Sequence, residues 1–142
     1  MPLWQIYHPV GVYSDRDKQD FAADITKHYA DVGLPEFYVV VHFHELAQAD
    51  FLVGGKPSAN TVRIVVSHLA RRIDDAPRRR RMTEFVNAIT LPYTADRGLH
   101  CEFHIEESAR DLWMIDGLWP PEAGSDAEKA WAAANSPVPA DT

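Results

Sequence analysis

A proline stands second in this 142-residue chain, in the run Met1-Pro2-Leu3-Trp4. Methionine before a small residue is normally removed in the cell, which would leave Pro2 with a free secondary amine at the head of a strand. An α-amino group titrates near about 7.7–8.0, and burial or a neighbouring cation disfavours its protonated form. Such an amine can take a proton at neutral pH. If Met1 stays, the nitrogen is an amide whose lone pair is delocalised into the carbonyl, and this chemistry is lost. Proline is also common at position two in proteins that make no use of it.

Arg71 and Arg72 follow a β-type run, and guanidinium forks bind carboxylates bidentately where strand ends open into loops. The competing reading is a pair of solvated charges near Asp74 and Asp75. Arg78 to Arg81 wrap around the first turns of a helix and read as a solvated face. His42 and His44 project to one side of a strand, as metal ligands at i and i+2 can. No spacing supplies the third and fourth ligands that zinc needs, so no metal is expected there, and polar residues lining an oligomer interior account for them equally well. His28 and Tyr29, at the end of a helix, are hydrogen-bond donors in reach of a site, although Tyr29 also fits that helix's apolar stripe.

These residues are carried by a pattern that occurs twice. Leu3 to His8 alternates as a strand and stops at Pro9 and Gly11. Ser14 and Asp17 mark a helix start, and Phe21, Ile25 and Tyr29 recur at helical spacing, giving a helix from about Asp15 to Asp31. Phe37 to Glu45 reads as a strand, leading through Phe51 to a turn at Gly54-Gly55. The same order returns as a strand over Thr61 to Leu69, a helix over Asp75 to Thr90 and a strand over Leu99 to Glu107. At an offset of about 62 residues His42 matches His104 and Glu45 matches Glu107, while the helices match through Phe21 with Phe85 and Ile25 with Ile89. The reading is an α+β chain of two βαβ units, about 2–55 and 60–117, in a domain spanning 1–121. Right-handed crossovers make the strands within each unit parallel and put both helices on one face of a four-stranded sheet. The other face is then expected to be bare, apolar and covered by association. From Trp119 the composition shifts to Pro, Ala, Ser and Asp. Residues 122–142 read as an arm with one short helix, Ser125 to Asn135, whose Trp131, like Trp119, is expected to pack on a neighbouring subunit. The last few residues are expected to be disordered.

A net charge of −7 and a pI near 5.4 argue against nucleic acid as a partner, since phosphates require a positive field. The single cysteine, Cys101, forms no internal disulfide. No run of apolar residues is long enough to span a membrane, and the run Met1-Pro2-Leu3-Trp4 has neither the basic nor the apolar region expected of a secretory leader. A cytoplasmic protein is expected.

Pro2 heading the first strand, the duplicated βαβ units and Arg71 after the third strand resemble the tautomerase superfamily. Val41-His42-Phe43-His44-Glu45, Phe51-Leu52-Val53-Gly54-Gly55 and Trp113-Met114-Ile115-Asp116-Gly117 are similar to its cis-3-chloroacrylic acid dehalogenase-like and oxalocrotonate tautomerase-like branch, over residues 2 to about 121. The resemblance implies the tautomerase (MIF-like) fold, a homotrimer, no cofactor, and three sites built around the amino-terminal proline. Carried over by position, Arg71 matches the first of two arginines. The second falls on Asp74, with Arg72 as substitute. A histidine position falls on Tyr29 with His28 adjacent, a tyrosine position on Glu102 or Phe103, and a glutamate position on Ile115, or on Asp116 with one residue deleted.

The expected function is keto–enol tautomerisation of a small 2-oxo or 2-hydroxy-unsaturated carboxylate. Pro2 moves the proton while Arg71 and Arg72 hold the carboxylate. Two alternatives stand beside it. One is hydration or dehalogenation of a 3-substituted acrylate, with Asp116 activating water, and the other is a non-catalytic trimeric binding protein of the same fold.

Overall fold

The computed structural model describes residues 1–140. The disorder expected at the extreme carboxyl end falls in part on positions 141 and 142, outside the described residues. The chain runs β1 (Pro2–Pro9), α1 (Asp15–Asp31), β2 (Val40–Leu46), a small hairpin of β3 (Leu52–Val53) and β4 (Lys56–Pro57), then β5 (Thr61–Leu69), α2 (Ala76–Thr90), β6 (His100–Ser108) and α3 (Asp126–Ala134). A capping box starts α1: Asp17 N–H donates to Ser14 Oγ at 3.1 Å, and Ser14 N–H donates to the Asp17 carboxylate at 2.9 Å. Asp75 caps α2 by accepting from Arg78 N–H.

The main sheet has the order β2-β1-β5-β6. Strand β1 is parallel to β2, β5 is parallel to β6, and the two pairs join through antiparallel β1 and β5. Trp4 and Ile6 of β1 and Val62, Ile64 and Val66 of β5 are fully buried in one cluster with Phe21 and Ile25 of α1 and Val86 and Ile89 of α2. Alternation at period two puts these strand residues on one sheet face, and spacing near four does the same for the helices.

Three expectations need correction. Strand β2 begins at Val40, not Phe37, because Pro35 (φ −56°) opens a 3₁₀ turn over Glu36–Tyr38. That local turn outweighs the β propensity of Phe37 and Tyr38, and it buries the Tyr38 ring. The second correction concerns the sheet face opposite the core, which is largely polar where an apolar surface was expected. There the Arg63 guanidinium donates to His104 Nδ1 at 2.7 Å, His104 Nε2 lies 3.0 Å from Glu106, and Tyr7 stacks on His44 at 4.5 Å.

The third correction concerns the arm. Trp131 is 4% exposed, and its cover is its own chain: it clusters with Tyr38 and Trp113, beside Phe37, Leu69 and Leu118. Its indole N–H donates to Val138 O at 2.7 Å, and Phe37 N–H donates to the Asn135 side chain at 3.1 Å. Trp119, by contrast, is 67% exposed.

Trp131→Ala is therefore expected to cost about 3 kcal/mol of arm docking, as deleting a buried aromatic does. Limited proteolysis should then cut the variant early between 118 and 126. Trp119→Ala should leave the cutting pattern unchanged, and equal protection of both variants would contradict this packing.

Candidate active site

Strand β1 delivers the amino terminus to the carboxyl end of β5, where Pro2 lies opposite His68 in the antiparallel register. Met1 extends the pairing by one residue. Its carbonyl accepts from Leu69 N–H at 2.8 Å, and its ammonium donates to Leu69 O at 2.8 Å. Beyond Leu69 the backbone passes through Ala70 in the left-handed region, φ 62°. For a residue with a Cβ this costs about 1–2 kcal/mol. The Ala70 N–H holds the bend by donating to Ser108 O at 3.0 Å, and the next residue, Arg71, reaches the wall beside Met1.

A cavity of about 200 Å³ opens at this junction. Met1, Pro2, Tyr29, His68 and Arg71 line it on the polar side, and Leu34, Met82 and Phe85 give it an apolar side. Tyr29 reaches it from the last turn of α1 because it continues the Phe21-Ile25 stripe. The Tyr29 hydroxyl accepts from Trp4 Nε1 at 3.2 Å and shares a 2.7 Å hydrogen bond with His68 Nε2. Burial raises the Tyr29 pKa and holds the hydroxyl protonated. His68 is 4% exposed, and burial first, then the terminal ammonium and Arg71, lower it to about 4, so the imidazole is neutral at pH 7. The same causes act on the terminus. Burial first, and then Arg71, lower the Met1 ammonium to about 5, with Glu128 opposing them.

The cavity thus brings together Pro2, Tyr29 and Arg71 of the residues expected from the sequence. It does not bring in the other three. Arg72 points to solvent, with its guanidinium 2.9 Å from Asp74. His28 is half-buried on α1 outside the cavity, its Nδ1 2.7 Å from Asp24 O, and its ring meets Phe85 edge-on. Asp116 sits at φ 50° in a tight turn where Ile115 and Leu118 exchange backbone hydrogen bonds, and it does not line the cavity. Among the described residues no group of three or more His, Cys, Asp or Glu converges to hold a metal ion, His42, His44 and His104 included.

His68 was not singled out from the sequence. Its signal lay in the alternation Val62-Ile64-Val66-His68, where a histidine takes the last inward position of an apolar strand face, three residues before Arg71.

A family profile described as "Putative oxalocrotonate tautomerase enzyme" matches residues 1–136. This chain belongs to that family. Among curated proteins none matches significantly. Among solved structures, native RhCC from Rhodococcus jostii RHA1 is 40% identical, with a TM-score of 0.92, covering 97% of this chain and 99% of its own. N1, a member of the cis-3-chloroacrylic acid dehalogenase family, is 20% identical with a TM-score of 0.72, over 92% of this chain and 90% of its own. A fused 4-OT described as a symmetric trimer is 22% identical with a TM-score of 0.65, over 82% of this chain and 96% of its own. The latter two share the tautomerase fold.

The depressed His68 pKa sets a stability window. Its unfolded value, near about 6.5, lies above the folded one, so the unfolded chain binds the proton better. Stability is then fully present above about pH 6.5 and falls as pH drops toward 4, by about 2–4 kcal/mol. Buried His8, also lowered by burial, and the Met1 amine, lowered to about 5, add in the same direction, so His68 supplies one part of the loss. Urea denaturation between pH 7 and 4 should show this loss, and His68→Gln should flatten it; an unchanged slope in the variant would contradict the assignment.

Proposed function

We propose that this chain is a cofactor-independent tautomerase in which Pro2, freed by removal of Met1, moves a proton on a small 2-oxo or 2-hydroxy-unsaturated carboxylate. The observation that carries the reading is the convergence of the amino terminus and Arg71 in one largely apolar cavity. Burial and the guanidinium together push an amine there well below its ordinary value near 8, as they do for Met1. A neutral amine at pH 7 is a base, which tautomerisation needs, whereas hydration or dehalogenation needs a protonated proline and a carboxylate to activate water. The acid expected for that second role, Asp116, lies off the cavity.

In this mechanism the Arg71 fork takes the substrate carboxylate and favours the negative charge that develops on the enolate oxygen. Among the described residues Arg71 makes no ion pair, so its charge is available. In the enol-to-keto direction Pro2 takes the proton of the 2-hydroxyl, leaving the enolate, and delivers it to C3, so that a C–H bond replaces the O–H bond broken and the amine is again neutral. Tyr29 and His68, neutral and hydrogen-bonded to each other, fix the wall behind Pro2. Loss of Met1 also releases Leu69 N–H as a donor facing the vacated space. Arg72 helps only as a secondary, solvated charge.

The experiment uses the protein with Met1 removed, confirmed by intact mass, and phenylpyruvate enol as substrate. Arg71→Ala should lower kcat/KM by about 10²-fold or more, the cost of a charge-assisted contact in a partly dry site. Arg72→Ala should change it by less than about threefold. Retained Met1 should abolish turnover. Comparable losses in the two arginine variants, or full activity with Met1 in place, would end this reading.

A homotrimer is proposed with it, in line with the trimer named for the fused 4-OT neighbour. Leu52, Val53, Leu112 and Trp119 are large apolar side chains left exposed in one chain, and burying them is a physical reason to associate. Sedimentation velocity at micromolar concentration should give the mass of three chains; a monomer would refute the assembly.

A further inference from the structure

A second cavity, of about 150 Å³, lies on the other side of Met1. Met1, Leu34 and Arg71 line both spaces. Each alone is smaller than the roughly 300 Å³ at which small-molecule sites begin. Taking Met1 away removes a residue that walls both and would open them into one site of ordinary size, with Pro2 on the wall of the first cavity.

The far wall of this space comes from elements outside the first cavity. Tyr38 comes from the 3₁₀ turn before β2, Arg110 from the segment after β6, and Glu122 and Glu128 from the arm. Arg110 is already engaged: its guanidinium lies 2.7 Å from Glu122 and also donates to Pro120 O. The Tyr38 hydroxyl is different. The residue is 2% exposed, and the hydroxyl has no hydrogen-bond partner. Burial, opposed by Arg110 and reinforced by Glu128, pushes its pKa up to about 12, so it stays a donor at neutral pH. Tyr38 itself forms part of this cavity's wall. A buried donor without an acceptor is uncommon in folded proteins and marks a position a ligand can satisfy.

The charges decide what kind of ligand. With the substrate carboxylate on Arg71, and Glu122 on Arg110, the charge left without an ion pair on this wall, among the described residues, is Glu128, whose carboxylate accepts from Gly124 N–H at 3.0 Å. A second carboxylate would be repelled, whereas an uncharged acceptor would meet Tyr38 without opposition.

We propose that the second cavity is the specificity subsite for the end of the substrate far from Pro2. Tyr38 reads that end, and the group bound is an uncharged hydrogen-bond acceptor, an amide or ketone carbonyl, not a second carboxylate. The inference rests on the proposed function for the placing of the acid end at Arg71.

Calorimetry on the full chain lacking Met1 tests it without requiring turnover. The probes are three unreactive saturated 2-hydroxy acids of one chain length, ending in methyl, primary amide or carboxylate. The amide-ended acid should bind about tenfold tighter than the methyl-ended one, the effect of one satisfied buried hydrogen bond, and tighter than the carboxylate-ended one. Tyr38→Phe, which keeps the ring in its cluster, should close the gap between amide and methyl. Tightest binding of the carboxylate-ended acid, or an amide preference that survives Tyr38→Phe, overturns the subsite. Arg71→Ala reads the acid end separately: all three acids should weaken together, and if they do not, the proposed function fails while the Tyr38 result still stands or falls by itself. No binding of any probe overturns both.

Discussion

The antiparallel pairing of β1 with β5 is the constraint on which the site depends. Each of these strands also has a parallel neighbour, but only this central pairing brings residue 2 beside residue 68. Its register sets Trp4, Ile6, Val62, Ile64 and Val66 inward together, and a slip of β1 by one residue would turn Trp4 and Ile6 to the polar face. The hydrophobic core thereby fixes the position of the amino terminus to within one residue. That is a demanding requirement for a group at a chain end, where backbone is usually frayed.

Burial then changes the chemistry of what the register brings together. The amino terminus, His68 and Tyr29 are all held in their uncharged forms, and each would cost more to ionise here than in water. Arg71 is the charged exception on the first cavity's wall. A lone cation facing neutral polar groups and an apolar wall is an environment that selects an anion and leaves an amine basic. It arises from an arginine one residue past a left-handed alanine, a bend held by a single hydrogen bond to β6.

Much of this was legible in the sequence. The alternation in Leu3 to His8 and Thr61 to Leu69 and the stripe Phe21-Ile25-Tyr29 located the central strands and α1, and the position of Pro2 and Arg71 at strand ends pointed to the cavity they line. Other features turn on information the local pattern does not hold. Tyr29 belongs to an apolar stripe and also lines the cavity, and only the tertiary contact with His68 shows that it does both at once. His68 looked like one more inward residue. Arg72 and Asp116 satisfy the right chemistry at nearly the right place, but one residue along a loop is enough to swing a side chain into solvent. The arm misled for a simpler reason: a tryptophan in a short segment must be covered, yet the sequence does not say that a 3₁₀ turn nearly a hundred residues earlier supplies the cover.

The pairing of Met1 with Leu69 also has a bearing on timing. In the folded chain the terminal residue is half-buried and tied through both its amine and its carbonyl to a partner 68 positions away. A processing enzyme that is to release Pro2 meets this end free until that partner has been made and paired. At the usual pace of about 5–20 residues per second, the ribosome needs about 3–14 s to make the intervening chain. Trimming and folding then compete, and pairing with Leu69, once formed, weighs against the release of Pro2.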